Sequence, residues 1–344
     1  MIYCENSCLE AMALHHVGNR TYDDGVNKSE CLLNLDEGLR KVLVQYFIGA
    51  FKTEGLYRFD HHSGLDYNFV YRQVSDIFDN PDDLLRHSYQ LADQLYETSD
   101  HNKIKSGEFY VVYFSELELD GQRADAVGLF KSENKEIFLQ VIRQGYANVL
   151  RYDEGVDVRK LDKGCIILNV KKDDGYVVAV VDNTNKSDAK YWVEDFLGVM
   201  PRQDKYFQTQ NFMSVCKSFV TKQLPEEFEI SKADQVELLN RSVQYFKEND
   251  EFSMQDFSSS VLEQPEVIES FNSYKERYQS EREITLEDSF SISGEAVKKQ
   301  SRSFKSVIKL DKNFHIYVHG DRRMIEQGED EKGRYYKVYY NEEY

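Results

Sequence analysis

The spacing of apolar residues changes twice along the chain, and each change predicts a different architecture. Alternating and continuous apolar runs dominate up to about residue 190, a helical period follows, and alternation returns near residue 303. The pattern therefore predicts an α+β domain over residues 1–190. An acidic helical region should follow over residues 191–290, and a basic, then tyrosine-rich, β segment over residues 291–344.

Strands of the first region are marked by apolar runs bounded by turn residues. Residues 109–114 (FYVVYF) are apolar at every position, as in a strand that is covered on both faces. Residues 173–175 (DDG) and 120–121 (DG) are typical of hairpin turns, and residues 23–25 (DDG) should turn the first strand back on the second. The predicted strands are residues 9–17, 31–35, 109–114, 124–130, 137–142 (continuing the meander), 164–170 and 176–181. These strands predict an α+β fold with a largely antiparallel sheet.

Helices are indicated by capping residues that precede apolar positions at helical spacing. Asp36 should cap one helix, and Pro81 should open another that reaches about Thr98. In the middle region, one predicted helix ends before Pro225, a second is capped by Ser231, and a third runs through residues 267–278.

The last region returns to strand spacing. Phe304, Ser306, Ile308 and Leu310 should share one side of a strand, and residues 314–318 alternate in the same way. A hairpin is predicted across residues 329–333 into YYKVYY at residues 335–340. We expect the chain to end in a small antiparallel sheet.

Composition narrows the class of protein. Hydrophobic residues at 41% and charged residues at 30% fit a soluble globular chain of 344 residues. The first residues lack the basic start and apolar stretch of a secretory signal, and no apolar run approaches the ~20 residues that span a bilayer. Five scattered cysteines favour reduced thiols in a cytoplasm.

Charge is strongly segregated along the chain, whose formal net charge is −18. Residues 226–288 hold 17 acids and 6 bases, whereas residues 298–312 hold six bases and one acid. We call this second stretch the basic block; its cations are Lys298, Lys299, Arg302, Lys305, Lys309 and Lys312. Such segregation indicates where an anionic partner binds and where it is repelled.

The sequence contains few features that indicate catalysis or metal binding. Cys4, Cys8, His15, His16 and Cys31 lack the spacing of a zinc site, so buried thiols and strand histidines are the preferred interpretation. The adjacent His61 and His62 are also poorly placed to bind one metal ion, because neighbouring side chains on extended backbone point in opposite directions. No phosphate-binding glycine loop and no nucleophile elbow occurs. The sequence predicts no enzyme, no cofactor and no bound metal.

Two features are open to alternative interpretations. The basic block fits phosphate contact by flexible cations, but it also fits a solvated face that pairs with the acidic helices. Tyrosines near the C-terminus fit either base stacking or, preferably, sheet packing; they are Tyr317, Tyr335, Tyr336, Tyr339 and Tyr340.

Three motifs in the right order carry a family resemblance. Residues 190–220 contain the tetrad Asp195-Phe196-Leu197-Gly198 and then the pair Gln210-Asn211; Ala13-Leu14-His15 stands near the start, and residues 309–340 form the closing segment. The chain resembles bacterial nucleoid-associated proteins of the NdpA type over nearly its whole length. The resemblance implies a cytoplasmic protein of the nucleoid that associates with DNA and has no known catalysis. The tetrad itself is interpreted structurally, with Phe196 and Leu197 packing and Gly198 ending a helix.

The resulting hypothesis is a non-enzymatic, nucleoid-associated protein that contacts DNA phosphates through the basic block with little sequence preference. The alternative is an adaptor whose acidic helices bind a basic, DNA-handling protein. No membrane contact is expected, and the sequence does not determine the oligomeric state.

Overall fold

The computed structural model describes residues 2–3, 8–51, 55–119, 122–184, 191–304, 307–310, 314–317, 324–340 and 342. The chain divides into two compact units, residues 1–202 and 203–344. The division at residues 190 and 290 that the sequence suggested stays a prediction. The α+β fold is confirmed, with a large antiparallel sheet first, helices next and small antiparallel ribbons last.

In its described residues, the first unit has one large sheet and three α-helices. Its strands are β1 (Ile2–Tyr3), β2 (Leu9–Val17), β3 (Val26–Lys28), β4 (Tyr57–Phe59), β5 (Gly107–Leu119), β6 (Gln122–Ser132), β7 (Glu136–Gln144), β8 (Ala147–Gly155), β9 (Lys163–Leu168), β10 (Val177–Asp182) and β11 (Val199–Pro201). Its helices are α1 (Glu37–Ile48), α2 (Phe69–Asp79) and α3 (Leu84–Thr98). The nine-stranded sheet has the order β11-β4-β10-β9-β6-β5-β2-β3, with β1 also paired to β5. All the strand pairs described in this sheet are antiparallel.

Both faces of this sheet are covered, which explains the continuous apolar run of β5. Val111 and Tyr113 face a core that includes residues of α2 and α3. Val112 and Phe114 face a second core that includes Phe47 of α1. Successive strand residues point to opposite faces, so a strand between two cores must be apolar at every position.

Local signals start two helices of this unit, α1 and α3, as predicted, whereas α2 was not predicted. The Asp36 side chain accepts a hydrogen bond from the backbone N–H of Leu39 at 2.8 Å, which caps α1. Pro81 opens a short 3₁₀ turn that leads directly into α3.

Three strand predictions in this unit need correction or cannot be judged. Residues 31–35 are not a strand; β2 pairs with β3 (Val26–Lys28) across the predicted turn, which is closer in sequence. Strand β7 does not continue the meander, because it pairs with β8 in a separate two-stranded ribbon. The predicted turn at residues 120–121 lies outside the described residues.

Among the described residues, the second unit is mainly helical and contains three small two-stranded ribbons. Its helices are α4 (Lys205–Ser218), α5 (Leu224–Glu227), α6 (Lys232–Glu248), α7 (Met254–Phe257), α8 (Pro265–Arg282) and α9 (Gly294–Ser301). Its strands are β12 (Glu251–Ser253), β13 (Ser289–Ser291), β14 (Val307–Leu310), β15 (Phe314–Tyr317), β16 (Ile325–Asp330) and β17 (Gly333–Val338). They pair as β12-β13, β14-β15 and β16-β17.

Aromatic side chains form the centre of this second unit. Phe212 of α4 lies with its ring centroid 4.1–6.3 Å from those of Phe246, Phe252, Phe257, Phe271 and Phe290. These rings come from α6, α7, α8, β12 and β13. The elements are therefore held by one shared aromatic core, in which ring pairs add to the stabilisation from burial.

Helix boundaries in this unit follow the capping signals with one exception. Ser231 and Asp234 form the predicted cap of α6 as a reciprocal capping box. The helix expected to end before Pro225 instead continues, through a π-helical segment over Phe219–Gln223, into α5. Pro225 lies in the first turn of α5, where the missing N–H costs little.

Candidate nucleic-acid interface

The described part of the basic block begins on α9. Ser293 caps this helix by accepting a hydrogen bond from the backbone N–H of Ala296 at 3.4 Å, and its own N–H donates to Thr209 Oγ1 of α4 at 3.0 Å. Ala296 and Val297 are buried. These contacts fix which side of α9 faces the core of the second unit.

The opposite side of α9 presents the cations. Lys298, Lys299 and Arg302 are exposed, and Lys298 and Arg302 are one helical turn apart. Within the described ranges, neither Lys298 nor Arg302 forms an ion pair with an acid. Their charge is therefore not neutralised by the described acidic helices.

The positive charges of Lys298 and Lys299 also interact with the C-terminal end of α9 itself. Lys298 and Lys299 lie in the last turn of α9, where positive charge offsets the negative end of the helix dipole. This interaction is worth only about 0.3–1 kcal/mol at an exposed site. It is compatible with phosphate contact, since an anion and the carbonyl groups can share one ammonium group.

The remaining cations of the block are only partly within the described residues. Lys309 lies in β14, where its Cα pairs with that of His315. Ile308, its neighbour, is buried with Ala233, Val236 and Ile325. Lys305, Ser306 and Lys312 lie outside the described residues. Phe304 is buried in the aromatic core just before β14 rather than in the strand, which corrects that expectation.

The C-terminal tyrosines are mostly exposed, contrary to the preferred packing interpretation. Tyr336 is half-buried against the small cluster around Ile308 and Ile325. Four others are 41–68% exposed; they are Tyr317, Tyr335, Tyr339 and Tyr340. Tyr335 and Tyr336 are neighbours in β17 and point to opposite faces, so the packing that covers Tyr336 leaves Tyr335 in solvent.

Two further lysines, which the sequence did not single out, are buried in the first unit. Lys131 Nζ lies 3.1 Å from Glu133 Oε1, and Lys163 Nζ lies 2.9 Å from Asp182 Oδ2. The Tyr191 hydroxyl donates to Glu133 Oε1 at 2.7 Å. We call these five residues the buried polar network. Burial lowers the pKa of Lys131 and raises the pKa of Tyr191. These cations are already paired and hidden from solvent, so they do not contribute to an anion-binding surface.

The histidines and cysteines near the N-terminus, considered above as metal ligands, make other contacts in the structure. His15 is buried and His16 is exposed on β2, where His16 Nδ1 lies 3.1 Å from Glu108 Oε2. Cys8 is disulfide-bonded, so the expectation of reduced thiols is wrong for this residue; Cys31, Cys165 and Cys216 are free. Cys4 lies outside the described residues. Among the residues that the structure describes, no group of three His, Cys, Asp or Glu side chains could hold a metal ion.

The tetrad over residues 195–198 has a structural role, as predicted. Phe196 and Leu197 are buried in the core beside α2 and α3. Gly198 follows a π-helical segment (Tyr191–Leu197) with φ of 61°, and a Cβ there would lie 2.5 Å from Asn68 Nδ2. The same Asn68 amide donates to the carbonyl oxygens of Leu197 and Gly198, both at 3.0 Å. Glycine is needed at this position because of both its backbone angle and this close approach.

Comparison with family models assigns the class: the sequence matches a model of nucleoid-associated proteins over residues 14–342. The family is described as nucleoid-associated protein YejK, and the chain belongs to it. This confirms the resemblance carried by the three motifs and places the protein with the nucleoid. No individually curated protein matches the chain. Separately, none of the helices in the described ranges has the length and apolar character needed to cross a membrane.

Proposed function

We propose that this protein is a non-enzymatic nucleoid-associated protein that binds DNA through phosphate contacts with little sequence preference. The observation that supports the proposal is the exposed row of Lys298, Lys299 and Arg302 along α9. The other cations of the block, Lys305, Lys309 and Lys312, extend the same contact along the chain. Phosphate contacts by such side chains supply affinity but do not distinguish base sequences.

The rest of the charge distribution confines DNA to this block. The net charge is −18, and residues 226–288 carry 17 acids against 6 bases. Phosphates approaching those helices are repelled over about 10 Å at moderate salt. Binding therefore takes place at one patch, and the number of phosphates neutralised is small.

A salt titration tests the proposal. Affinity of the full chain for duplex DNA is measured at several salt concentrations. If about five cations each neutralise a phosphate, log K should fall with log salt at a slope of roughly −4 to −5. Random and defined duplexes should lose affinity alike. A slope near zero, or strong preference for one sequence, would contradict phosphate contact through the block.

An adaptor is the second candidate, and one cavity favours it. This cavity has a volume of about 260 Å³ in the second unit, with Leu224, Leu238 and Leu262 among its apolar lining. The same lining includes three acids, Glu229, Asp234 and Glu237, and one base, Arg241. A partly apolar cavity in which acids outnumber bases suits a basic segment of another protein. The adaptor hypothesis predicts that the pure protein binds DNA weakly and that substitutions in the basic block have no effect.

A further inference from the structure

A polar groove runs beside α2 in the first unit. Its volume is about 450 Å³, which lies in the range of roughly 300–1,000 Å³ that is typical of small-molecule sites. One stripe of α2 forms a wall of the groove, with Phe69, Arg72, Asp76 and Asp79 at spacings of three and four residues. Lys172 also lines it. We call this feature the α2 groove.

Gln73 lines the same groove, and a chain of hydrogen bonds fixes the orientation of its amide. Arg86 lies 3.0 Å from Nε2 of His87 and can only donate, so this ring nitrogen carries no proton. Burial first, and then the charge of Arg86, lowers the pKa of His87, so the ring is neutral and Nδ1 carries the proton. Nδ1 therefore donates to Gln73 Oε1 at 2.8 Å.

This chain of hydrogen bonds leaves the amide nitrogen of Gln73 free to donate into the groove. Gln73 is only 7% exposed, and its nitrogen has no acceptor in the part of the chain that the structure describes. A buried donor without an acceptor is costly, so an oxygen atom of a ligand is stabilised at this point.

Arg72 adds a charged donor beside Gln73. Its guanidinium carbon lies 5.7 Å from the ring centroid of Phe69, and Arg72 forms no ion pair with any described acid. Arg72 and Gln73 are neighbours in α2 and both line the groove. Two N–H donors, one of them charged, suit the carboxylate of a ligand.

The acids of the α2 groove exceed what its bases neutralise. Lys172 Nζ lies 3.4 Å from both carboxylate oxygens of Asp79, so these two charges compensate each other. Asp76 Oδ2 lies 3.9 Å from Nδ1 of the neutral His87, and Asp66, which also lines the groove, forms no ion pair within the described ranges. Two carboxylates and the guanidinium of Arg72 remain. Their complement is a ligand with two cations and one carboxylate.

The order of these groups along the chain sets the length of such a ligand. Asp66 lies in the short turn Leu65–Tyr67 before α2, and Arg72 lies in the first half of the helix. Asp76 is four residues beyond Arg72, which is about 6 Å along the helix axis. The ligand therefore carries a carboxylate and one ammonium group at one end and a second ammonium group about 6 Å away. A lysine molecule has this arrangement, since a four-carbon stem separates its two ammonium groups.

We propose that the α2 groove binds a free dibasic amino acid of the lysine type. The ligand carboxylate accepts hydrogen bonds from Arg72 and Gln73. The α-ammonium group pairs with Asp66, and the side-chain ammonium group pairs with Asp76.

Other ligands fit this groove less well. A diamine offers no acceptor to Arg72 and Gln73. DNA is repelled by the excess of acids, and no group of three described side chains could hold a metal ion. The proposal does not depend on DNA binding by the basic block, which belongs to the other unit of the chain.

The test is isothermal titration calorimetry of the full chain with three related compounds. L-Lysine should bind with a Kd below about 1 mM. Cadaverine lacks the carboxylate of lysine, and 6-aminohexanoate lacks its α-ammonium group. Each should bind at least about tenfold more weakly than L-lysine, because each loses a charge-assisted hydrogen bond.

Three variants assign each end of the ligand to its residues. Arg72→Gln should weaken L-lysine binding at least about tenfold and should not weaken cadaverine binding. Asp66→Asn should weaken L-lysine binding by a similar factor and should not weaken 6-aminohexanoate binding. Asp76→Asn should weaken the binding of all three compounds, because each carries the distal ammonium group.

The matched control is Asp82→Asn. Asp82 is an exposed acid in the turn before α3 and does not line the groove, so the change of charge is the same. It should alter the Kd of L-lysine less than about twofold. Arg72, Asp66 and Asp76 are exposed as well, and circular dichroism spectra that match the wild-type spectrum exclude unfolding as the cause of weaker binding.

Three outcomes overturn the proposal. The first is no heat of binding with L-lysine up to about 10 mM. The second is cadaverine binding as tightly as L-lysine, which would show a site for diamines. The third is L-lysine binding that Arg72→Gln and Asp76→Asn leave unchanged, which would place the ligand elsewhere. These titrations contain no DNA, so their result is independent of the proposed DNA binding.

Discussion

His15 Nε2 lies 2.8 Å from the hydroxyl oxygen of Ser88. The backbone N–H of Ser29 donates to Nδ1 of the same ring at 3.2 Å, so Nδ1 carries no proton. The proton is therefore on Nε2, which donates to Ser88, and the Ser88 hydroxyl donates to the carbonyl oxygen of Leu85 at 2.7 Å. Both ring nitrogens of His15 are thus used within the fold, and the neutral ring is the form that the fold requires.

Stability should fall in acid because of this histidine. Burial first, and then the nearby Lys28, lowers the pKa of His15 to about 4. The unfolded chain binds a proton near pH 6.5, so it is favoured as the pH falls from about 6.5 to about 4. Neutral His15 makes its full contribution to the free energy of unfolding above this pH window, and this contribution is at most about 3 kcal/mol. Urea unfolding at several pH values measures it. In His15→Gln the pH dependence should be smaller than in the wild type; an equal dependence would contradict the assignment.

The stability of the first unit should depend on Glu133, the acid at the centre of the buried polar network. Glu133 Oε1 lies 3.1 Å from Lys131 Nζ and accepts a hydrogen bond from Tyr191, and its Oε2 lies 3.9 Å from Lys163 Nζ. Glu133→Gln leaves buried lysine charge without its partner, which should cost about 3–5 kcal/mol in the free energy of unfolding. The control Glu136→Gln removes an exposed acid that pairs with Lys160, and should cost less than about 1 kcal/mol. Denaturant unfolding compares the two, and equal costs would argue against the network.

The basic block should determine the salt dependence of DNA binding. Lys298→Gln with Arg302→Gln should make the slope of log K against log salt shallower by about 2, because two fewer counterions are released. Lys305→Gln with Lys309→Gln should do the same. The control Lys222→Gln with Lys247→Gln removes equal charge at exposed helix positions of the same unit, and should leave the slope unchanged. If the control and the basic-block variants change the slope equally, the slope depends on net charge alone and not on the basic block.

The purified protein should contain no stoichiometric metal. The reason is that the nitrogens of His15 are occupied by Ser29 and Ser88, and His16 faces Glu108. Elemental analysis of protein prepared without chelators makes the measurement. One zinc per chain would contradict the prediction and would return attention to the cysteines near the N-terminus.

The first unit should fold without the second. Residues 1–202 contain both cores that cover the large sheet. A fragment of that length should give cooperative thermal unfolding and a strand-rich circular dichroism spectrum. Gradual unfolding would show that the first unit requires the second. Limited proteolysis of the full chain provides an independent comparison, since early cuts inside β5 or β10 would oppose the division.

Elements with a strong local signal could be predicted from the sequence alone. The run at residues 109–114 indicated a strand covered on both faces, because it is short, apolar at every position and rich in β-branched and aromatic residues. Asp36 and Ser231 specified helix starts, because a side chain that caps a helix acts within three residues of itself. The family motifs were likewise readable, since they are short stretches of sequence.

Tertiary structure decided what depends on partners distant in sequence. Residues 137–142 have the composition of a sheet strand, and only the pairing of β7 with β8 leaves them exposed in a separate ribbon. Lys131 and Lys298 are the same residue type, and the sequence alone does not distinguish them. The fold buries Lys131 beside Glu133 and leaves Lys298 in solvent. The sequence by itself determined local conformation and the segregation of charge, because these depend on neighbouring residues. Which charges face water, and which apolar faces remain uncovered, was decided by packing between distant segments.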